Sequence, residues 1–472
     1  MKKQRIFCLI LSVITVLALA LPAAAEPVQS GTAGCHGLYA QLPLAGSESL
    51  LPSSNGVVLF ELNSSTMVYA YKADDRINPS SMVKIMTALV ALEQGNLNDT
   101  VTVKRSTLDS LPIGIVSAGL QRGETITVRD LLYCCLVGSA NDATAVLAEH
   151  IAGSQAAFVE KMNARARELG CKDTLFSNVN GLNDDIQYST ARDLAIITAA
   201  ALENETFADA FSAQSYTVPA TNLSEERTIH TTNYMLSDQT VRNYYDERVT
   251  GGKTAAATQT KRSLICTAQL GTARYLCVVM NADSVMSEDK ISVEKFGSFY
   301  ETGLLLDFAQ QGYELRKLLD HAQSYSQHTV SDGENDLIAA PGTDVYAVLP
   351  LEYDPALLNF SANYDMSALT APVKAGAVVG QLRVTFQGLE LTSCDLTAMF
   401  AVARKGTTIR PADPITPDEE QGEGSKLLRW ILTGLAVAAG LVLLSLLFAR
   451  LVKNARIRAM HRRRKRNRRR SR

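Results

Sequence analysis

The chain has 472 residues and a formal net charge of −2, a value that conceals an uneven distribution of charge. Of the 46 Lys and Arg residues, 13 lie in residues 450–472 and 3 in residues 1–25, which leaves 30 against 48 Asp and Glu elsewhere. A region this acidic argues against electrostatic binding of polyanions such as nucleic acid or teichoic acid. The six histidines form no metal-spaced pair and the cysteines match no zinc site, so no metal and no cofactor is predicted.

The N-terminal end is typical of an exported protein. Residues 1–25 are predicted to be a signal peptide, because Lys2, Lys3 and Arg5 precede a long apolar run that ends in small residues. An uncleaved N-terminal anchor is the alternative that the length of the run leaves open. Residues 26–45, rich in Gly, Ser, Ala and Pro, are expected to form a flexible lead-in.

The first predicted elements are a strand pair and a helix. Residues 56–62 and 67–72 are rich in β-branched and aromatic residues and flank a turn. Asn78 is a good N-cap and Pro79 suits the first helical position, so a helix is expected to begin here.

Ser81 and Lys84 lie one turn apart on one face of this helix. A serine hydroxyl is a poor nucleophile, and Lys84 can remove its proton if burial and the helix N-terminus lower the pKa of the amine. The spacing alone is weak evidence, because a surface helix with a capping serine and a solvated lysine shows it too.

Helices are predicted between about 100 and 200, and strands return after about 249. Ser139 and Asn141 precede one of these helices, and Lys253 and Thr254 enter a returning strand. A strand pair, a helical middle and returning strands imply an α+β fold with one antiparallel sheet and helices against it. The helical spacing of apolar residues is clearest at 129–137, 143–151, 156–169 and 191–202.

The C-terminal part is predicted to be a small β-rich domain at 325–408, with strands such as 344–349 and 379–386. Residues 409–426, with three prolines and several acidic residues, read as a solvated linker.

A membrane anchor is expected to follow. Residues 427–449 form a predicted transmembrane helix, since about 20 apolar residues span a bilayer. The basic tail at 450–472 is expected in the cytoplasm, which places the rest of the chain outside, facing the wall. A tail this basic could instead bind nucleic acid or anionic lipid, and composition does not separate these explanations. The favoured interpretation is a tail that orients the anchor and contacts lipid, so no nucleic acid is expected as a partner.

Three short motifs occur in order: Ser81-x-x-Lys84, Ser139-x-Asn141 and Lys253-Thr254. Together with the segments around them, they make the chain resemble the serine-type D-alanyl-D-alanine carboxypeptidases, which are low-molecular-mass penicillin-binding proteins. The resemblance covers residues 46–310, the expected catalytic domain, and continues more weakly to about 405. It implies the penicillin-binding/β-lactamase-like transpeptidase fold, an antiparallel sheet with a helical subdomain.

The resemblance implies an enzyme of peptidoglycan biosynthesis that removes the terminal D-alanine from stem peptides ending in D-Ala-D-Ala and is inhibited by β-lactams. In that case Ser81 is the nucleophile and Lys84 the general base. Ser139 relays a proton toward the leaving amine, and Asn141 holds the substrate amide and orients Lys84. Helix capping is the plain alternative for Ser139 and Asn141.

The implied substrate-binding residues are Lys253, Thr254 and Ala256. Lys253 and Thr254 supply a positive charge and a hydroxyl for the terminal carboxylate, and the backbone N–H of Ala256 joins that of Ser81 around the oxyanion. The plain alternative for Lys253 and Thr254 is that they face solvent.

Ala255 departs from the family pattern, which has glycine after Lys-Thr. Its methyl group could crowd the cleft. This departure motivates a non-catalytic wall-binding scaffold as a competing function. A β-lactamase, which shares the Ser-x-x-Lys arrangement, is a less favoured alternative, and the balance of carboxypeptidase and endopeptidase activity is open.

The cysteines are expected to be mostly small buried hydrophobic residues. If residues 263–267 and 275–280 form a hairpin around Gly271, Cys266 and Cys277 face each other, with a disulfide as one possible outcome.

Overall fold

The computed structural model describes residues 50, 52–182, 184–237, 243–289 and 292–406. Among these residues, no helix is both long and apolar enough to cross a membrane. The described residues up to Ala403 form one compact unit, and a second unit starts at Arg404. Five predicted segments lie outside the described residues: the signal peptide 1–25, the lead-in 26–45, the linker 409–426, the transmembrane helix 427–449 and the tail 450–472.

The described residues alternate between strands and helices as the sequence predicts. The helices are α1 (Val83–Gln94), α2 (Arg105–Asp109), α3 (Val128–Leu136), α4 (Asn141–Ala152), α5 (Gln155–Glu168), α6 (Ala191–Leu202), α7 (Glu205–Ser212) and α8 (Gly297–Gly312). The strands before α8 are β1 (Gly56–Glu61), β2 (Thr66–Tyr71), β3 (Thr100–Thr102), β4 (Thr125–Thr127), β5 (Ser215–Val218), β6 (Arg227–His230), β7 (Val249–Ala256), β8 (Lys261–Leu270), β9 (Ala273–Asp283), β10 (Val285–Met286) and β11 (Val293–Lys295). The strands after α8 are β12 (Tyr313–Leu319), β13 (Ser326–His328), β14 (Leu337–Pro341), β15 (Val345–Pro350), β16 (Leu358–Tyr364), β17 (Val378–Phe386) and β18 (Leu389–Ala398).

The central sheet is antiparallel, with strand order β2-β1-β9-β8-β7. Every residue of β1 is buried, because both faces of the sheet are covered. Val58 and Phe60 pack in the cluster formed with the helical middle of the chain, whereas Val57 and Leu59 pack in the cluster that contains α8. The predicted α+β arrangement and the N-terminal strand pair are confirmed.

Four of the helices in the described part of the chain begin at side chains that cap them. Thr127, Ser154, Thr190 and Asn204 each accept a hydrogen bond from the backbone N–H three residues later, at the starts of α3, α5, α6 and α7. The four predicted helical segments correspond to α3, α4, α5 and α6 within about two residues at each end.

The start of α1 differs from the prediction. Ser80–Met82 form a 3₁₀ turn, and the α-helix begins at Val83. Pro79, expected at the first helical position, is instead the N-cap of this turn, and Asn78, the expected cap, precedes it and accepts the N–H of Ser80 at its Oδ1, at 2.9 Å. Ser81 therefore lies on the turn before α1 and Lys84 in its first turn.

Strands β8 and β9 form the predicted hairpin. Gly271 has φ of +59°, which suits glycine, and Leu270 pairs with Ala273 across the turn. Cys266 lies directly opposite Cys277, as predicted, and both are buried free thiols.

The C-terminal part is β-rich, as predicted, with a second sheet of order β13-β14-β18-β17-β16. Its own apolar core includes Leu337, Val384 and Leu396. Strand β12 begins directly after α8, before the predicted start of the β-rich domain at 325, and pairs with β15.

Candidate active site

Ser81 is held between the start of α1 and the end of β7. Ser80, just before it, has φ of +47°, and its hydroxyl donates to the carbonyl of Ala256 at 3.0 Å. Non-glycine residues in this left-handed region are uncommon and cluster at functional sites. The bond ties the turn that carries Ser81 to the sheet edge.

Lys84 is completely buried beside Ser81, at 0% exposure. Its Nζ lies 3.3 Å from Ser81 Oγ and 3.0 Å from Asn141 Oδ1, and it also donates to the carbonyl of Asn180. Burial lowers the pKa of Lys84 from 10.5 to about 8. The solvated surface lysine that the spacing alone would allow is therefore absent at this position.

The three partners can accept all three N–H donors of the charged amine, and the same geometry can also serve the neutral amine. A neutral lysine has two N–H donors and one lone pair. When Asn141 Oδ1 and the Asn180 carbonyl take the two donors, the lone pair points toward the Ser81 hydroxyl. The arrangement can accept the proton of Ser81.

Ser139 and Asn141 approach the site from the start of α4. Ala140 occupies the N-cap position without a side-chain bond, so neither residue is the helix cap that the sequence left possible. Ser139 has φ of +58° and is nearly buried. The Asn141 amide nitrogen donates to the carbonyl of Val116 at 2.9 Å, which turns its oxygen toward Lys84.

Lys253 and Thr254 lie on β7, the edge strand next to Ser81. Lys253 is only 1% exposed, and its Nζ contacts the Thr254 carbonyl at 3.1 Å, so it does not face solvent. Burial, and next the charge of Lys84, lower the pKa of Lys253 to about 7. The Thr254 hydroxyl lies 2.5 Å from that of Thr232.

An open cleft of about 220 Å³ brings most of the predicted residues together. Ser81, Ser139, Thr254 and Ala256 line it, and the buried Lys84, Asn141 and Lys253 lie next to these residues. Ala255 also lines it. The rest of the lining consists of Val116, Thr232, Tyr234, Arg262, Ser263, Phe296, Ser298 and Phe299.

Sequence reasoning assigned no role to Asn180 and Gly181, which complete the site from another loop. Gly181 has φ of +76°, and a Cβ placed there would lie 1.9 Å from the Ser80 carbonyl oxygen. Only glycine permits this close approach. The Asn-Gly pair signals a turn in the sequence, but nothing in it indicates that the Asn180 carbonyl reaches Lys84.

One group of potential metal ligands lies close together in the described part of the chain, formed by Asp320, His321 and Asp344 in the β-rich region. Lys317 Nζ already contacts both carboxylates, at 2.9 Å and 2.7 Å. This ammonium group occupies the place where a cation would bind.

The cleft can therefore support acyl transfer. It presents a serine hydroxyl beside a buried amine of lowered pKa. These are the parts of a covalent mechanism with a serine nucleophile and a lysine base.

Comparisons with known proteins agree with this chemistry. The sequence model of the D-alanyl-D-alanine carboxypeptidase family matches residues 48–284, and that of the penicillin-binding protein 5 C-terminal domain matches residues 313–404. The D-alanyl-D-alanine carboxypeptidase DacF of Bacillus subtilis is 28% identical over 364 residues, covering 76% of this chain and 88% of that protein. The D-alanyl-D-alanine carboxypeptidase of a Streptomyces species is 31% identical over 280 residues, covering 57% of this chain and 94% of that protein.

A solved structure has the same architecture. Penicillin-binding protein 5 from Haemophilus influenzae superimposes with a TM-score of 0.61 at 27% identity, over 75% of this chain and 98% of that one. The family resemblance expected from the three motifs is confirmed. The chain therefore belongs to the D-alanyl-D-alanine carboxypeptidase family of serine peptidases, with a penicillin-binding transpeptidase-like fold and a β-rich C-terminal domain.

Proposed function

We propose that this chain removes the terminal D-alanine from peptidoglycan stem peptides ending in D-Ala-D-Ala, through an acyl-enzyme on Ser81. The observation that carries the proposal is the buried Lys84 amine, 3.3 Å from Ser81 Oγ at the side of an open cleft. The names of the relatives support the choice of substrate.

Acylation begins when Ser81 Oγ attacks the carbonyl carbon between the two alanines and its proton passes to Lys84 Nζ. The backbone N–H groups of Ser81 and Ala256 stabilise the resulting oxyanion. The peptide C–N bond then breaks, and the leaving amine takes a proton through Ser139. D-alanine departs, leaving an ester on Ser81.

Water then hydrolyses this ester and regenerates the Ser81 hydroxyl. Asn141 keeps Lys84 oriented through the bond from Nζ to Oδ1, at 3.0 Å, and holds the substrate amide. Lys253 and Thr254 bind the terminal carboxylate. A β-lactam enters the same cleft as a mimic of D-Ala-D-Ala and acylates Ser81.

The direct test is release of D-alanine from a defined muropeptide by the purified full-length protein. One equivalent of D-alanine per peptide is expected, together with labelling by a fluorescent penicillin. Labelling with no release of D-alanine, but with rapid hydrolysis of the penicillin, would instead indicate a β-lactamase. Neither labelling nor release would favour the non-catalytic scaffold that Ala255 suggests.

Ala255→Gly should raise the rate of penicillin acylation by about 2- to 10-fold, because Ala255 belongs to the strand that lines the cleft and glycine lets a ligand approach the backbone more closely. The same change should destabilise β7 by about 1 kcal/mol, since Ala255 is 5% exposed in a strand interior. Ala257→Gly, an identical change at an exposed position beyond β7, is the control. Equal acylation rates for Ala255→Gly and the natural protein would mean that the methyl group does not limit access.

We also propose that the protein is anchored in the cell membrane by residues 427–449, with the catalytic domain outside, facing the wall. The apolar character of this segment and the basic tail behind it support the proposal. A chain ending at residue 426 should leave the membrane fraction, and a chain ending at 449 should stay in it. Retention of the shorter chain in the membrane fraction would argue for an uncleaved N-terminal anchor.

A further inference from the structure

Three aromatic residues form one wall of the candidate cleft and have no role in the mechanism above. Tyr234, Phe296 and Phe299, here called the aromatic wall, line the cleft together with Ser81 and Thr254. Ligand sites are typically lined by aromatic and aliphatic side chains that surround a few polar groups. The motif residues supply the polar groups of this cleft, so the aromatic wall is available to bind an apolar part of the substrate.

The rings of the wall hold one another in place. The ring centroids of Phe296 and Phe299 are 5.6 Å apart, and that of Tyr234 lies 6.0 Å from the first and 5.8 Å from the second. Tyr244 supports the cluster, because its hydroxyl accepts the backbone N–H of Phe296 at 2.7 Å. At Gly297 an added Cβ would lie 2.0 Å from a carbonyl oxygen of β9, so the start of α8 is tightly seated. A wall fixed in this way loses little freedom when a ligand binds.

The wall lies beside the expected position of the terminal carboxylate. Thr254, which binds that carboxylate in the proposed mechanism, pairs directly with Leu264, and directly opposed residues share a face of the sheet. Leu264 packs in the same apolar cluster as the two phenylalanines of the wall. The Thr254 hydroxyl also lies 2.5 Å from that of Thr232, two residues before Tyr234. Both observations place Thr254 on the side of the sheet where the wall stands.

This position determines which part of a substrate meets the wall. The carboxylate and the side chain of an amino acid are attached to the same Cα, so a carboxylate bound at Thr254 brings the side chain of the C-terminal residue next to the rings. The methyl group of alanine covers little of this surface. A larger apolar side chain would bury more of it, and each added CH₂ group contributes to binding. The open cleft, with a volume of about 220 Å³, has room for such a side chain.

We propose that the aromatic wall binds the side chain of the substrate's C-terminal D-residue, and that the protein removes a large apolar residue such as D-leucine more efficiently than D-alanine. The proposal rests on the proposed function and deepens it, because it names the class of residue that leaves. The chemistry is unchanged: Ser81 forms the ester, the peptide C–N bond breaks, and the leaving amine takes the proton.

The test compares stem peptides that end in D-Ala-D-Ala, D-Ala-D-Leu and D-Ala-D-Asn. The side chain of D-asparagine is close in size to that of D-leucine but is polar, so this pair separates apolar contact from size. For the full-length protein, kcat/KM for the D-Leu peptide should exceed that for the D-Asn peptide about 10- to 100-fold, and that for the D-Ala peptide about 3- to 30-fold. Chromatography of the released D-amino acids gives the rates.

Variants of the wall show whether it causes the preference. Tyr234→Ala should lower the ratio of kcat/KM for D-Leu to kcat/KM for D-Asn about 5- to 10-fold, whereas Tyr234→Phe keeps the ring and should keep the ratio. Phe299→Leu, which stays apolar at a position only 5% exposed, should lower the ratio as well. Tyr245→Ala is the matched control, because Tyr245 is 50% exposed and lies outside the described lining of the cleft. A ratio does not depend on the amount of folded protein, so a less stable variant still gives an answer.

Equal kcat/KM for the D-Leu and D-Asn peptides would overturn the proposal, and so would slower cleavage of the D-Leu peptide than of the D-Ala peptide. A ratio unchanged in both Tyr234→Ala and Phe299→Leu would show that the wall does not cause the preference. In these cases cleavage of the D-Ala peptide would leave the proposed function intact.

If the natural protein cleaves none of the three peptides, the proposed function fails, and calorimetric binding of the same peptides then tests the wall. Tighter binding of the D-Leu than of the D-Asn peptide, lost in Tyr234→Ala, would support the proposal. Equal binding of the two peptides would reject it.

Discussion

Ser81→Ala should abolish covalent labelling by a fluorescent penicillin and lower D-alanine release by about 10⁴- to 10⁶-fold, as expected when a nucleophile is removed from a covalent mechanism. The alanine fits the space of the serine, and the 3₁₀ turn that carries it is closed by backbone bonds. The thermal unfolding midpoint should therefore change little. Gel fluorescence and an assay of free D-alanine measure the two losses.

Ser80→Ala is the matched control, one residue earlier on the same turn. It removes the 3.0 Å bond from the Ser80 hydroxyl to the Ala256 carbonyl. Such a bond contributes about 1 kcal/mol, so the expected loss of rate is below about 10-fold. Labelling that persists in Ser81→Ala but vanishes in Ser139→Ala would move the nucleophile to Ser139 and contradict the proposed mechanism.

Much of the fold could be predicted because its signals are local. The strand pair, four helices and the β8–β9 hairpin follow from periodicity, capping residues and a turn glycine. The start of α1 was less predictable. Asn78 signals a helix start, yet a 3₁₀ turn precedes the α-helix. At this turn Ser80 bonds to the Ala256 carbonyl of β7, and Gly181 lies close to the Ser80 carbonyl. Both contacts come from distant parts of the chain, so the local sequence does not indicate them.

The burial of Lys84 can be predicted from the residues around it, although not from the Ser-x-x-Lys motif alone. Residues 83–91 of α1 are all buried, since the helix is apolar on every side and packs in the middle of the helical region. That composition already argues against a solvated lysine. In contrast, the Asn180 carbonyl belongs to the backbone, so no sequence pattern could reveal its contact with Lys84.

The protonation of Lys84 should control the rate of acylation. Only the neutral amine can accept the proton of Ser81, and the neutral fraction grows as pH rises through the pKa of about 8. Below that pKa the acylation rate should rise about tenfold per pH unit, and it should level off above it. A lysine with the ordinary pKa of 10.5 would instead give a rate that still rises above pH 9.

Lys84→Met should lower the acylation rate by about 10²- to 10⁴-fold, the usual contribution of a general base, and should remove the inflection near pH 8. Methionine is apolar and similar in length, but it leaves Asn141 Oδ1 and the Asn180 carbonyl without their donor, which costs about 1–3 kcal/mol of stability.

Thr87→Val is the control that separates the loss of the base from the loss of stability, because Thr87 lies one turn further along α1 and donates to the neighbouring Val179 carbonyl. It should lose similar stability yet keep the pH profile. Stopped-flow acylation between pH 6 and 10 decides the matter: an unchanged inflection in Lys84→Met would mean that another group takes the proton of Ser81.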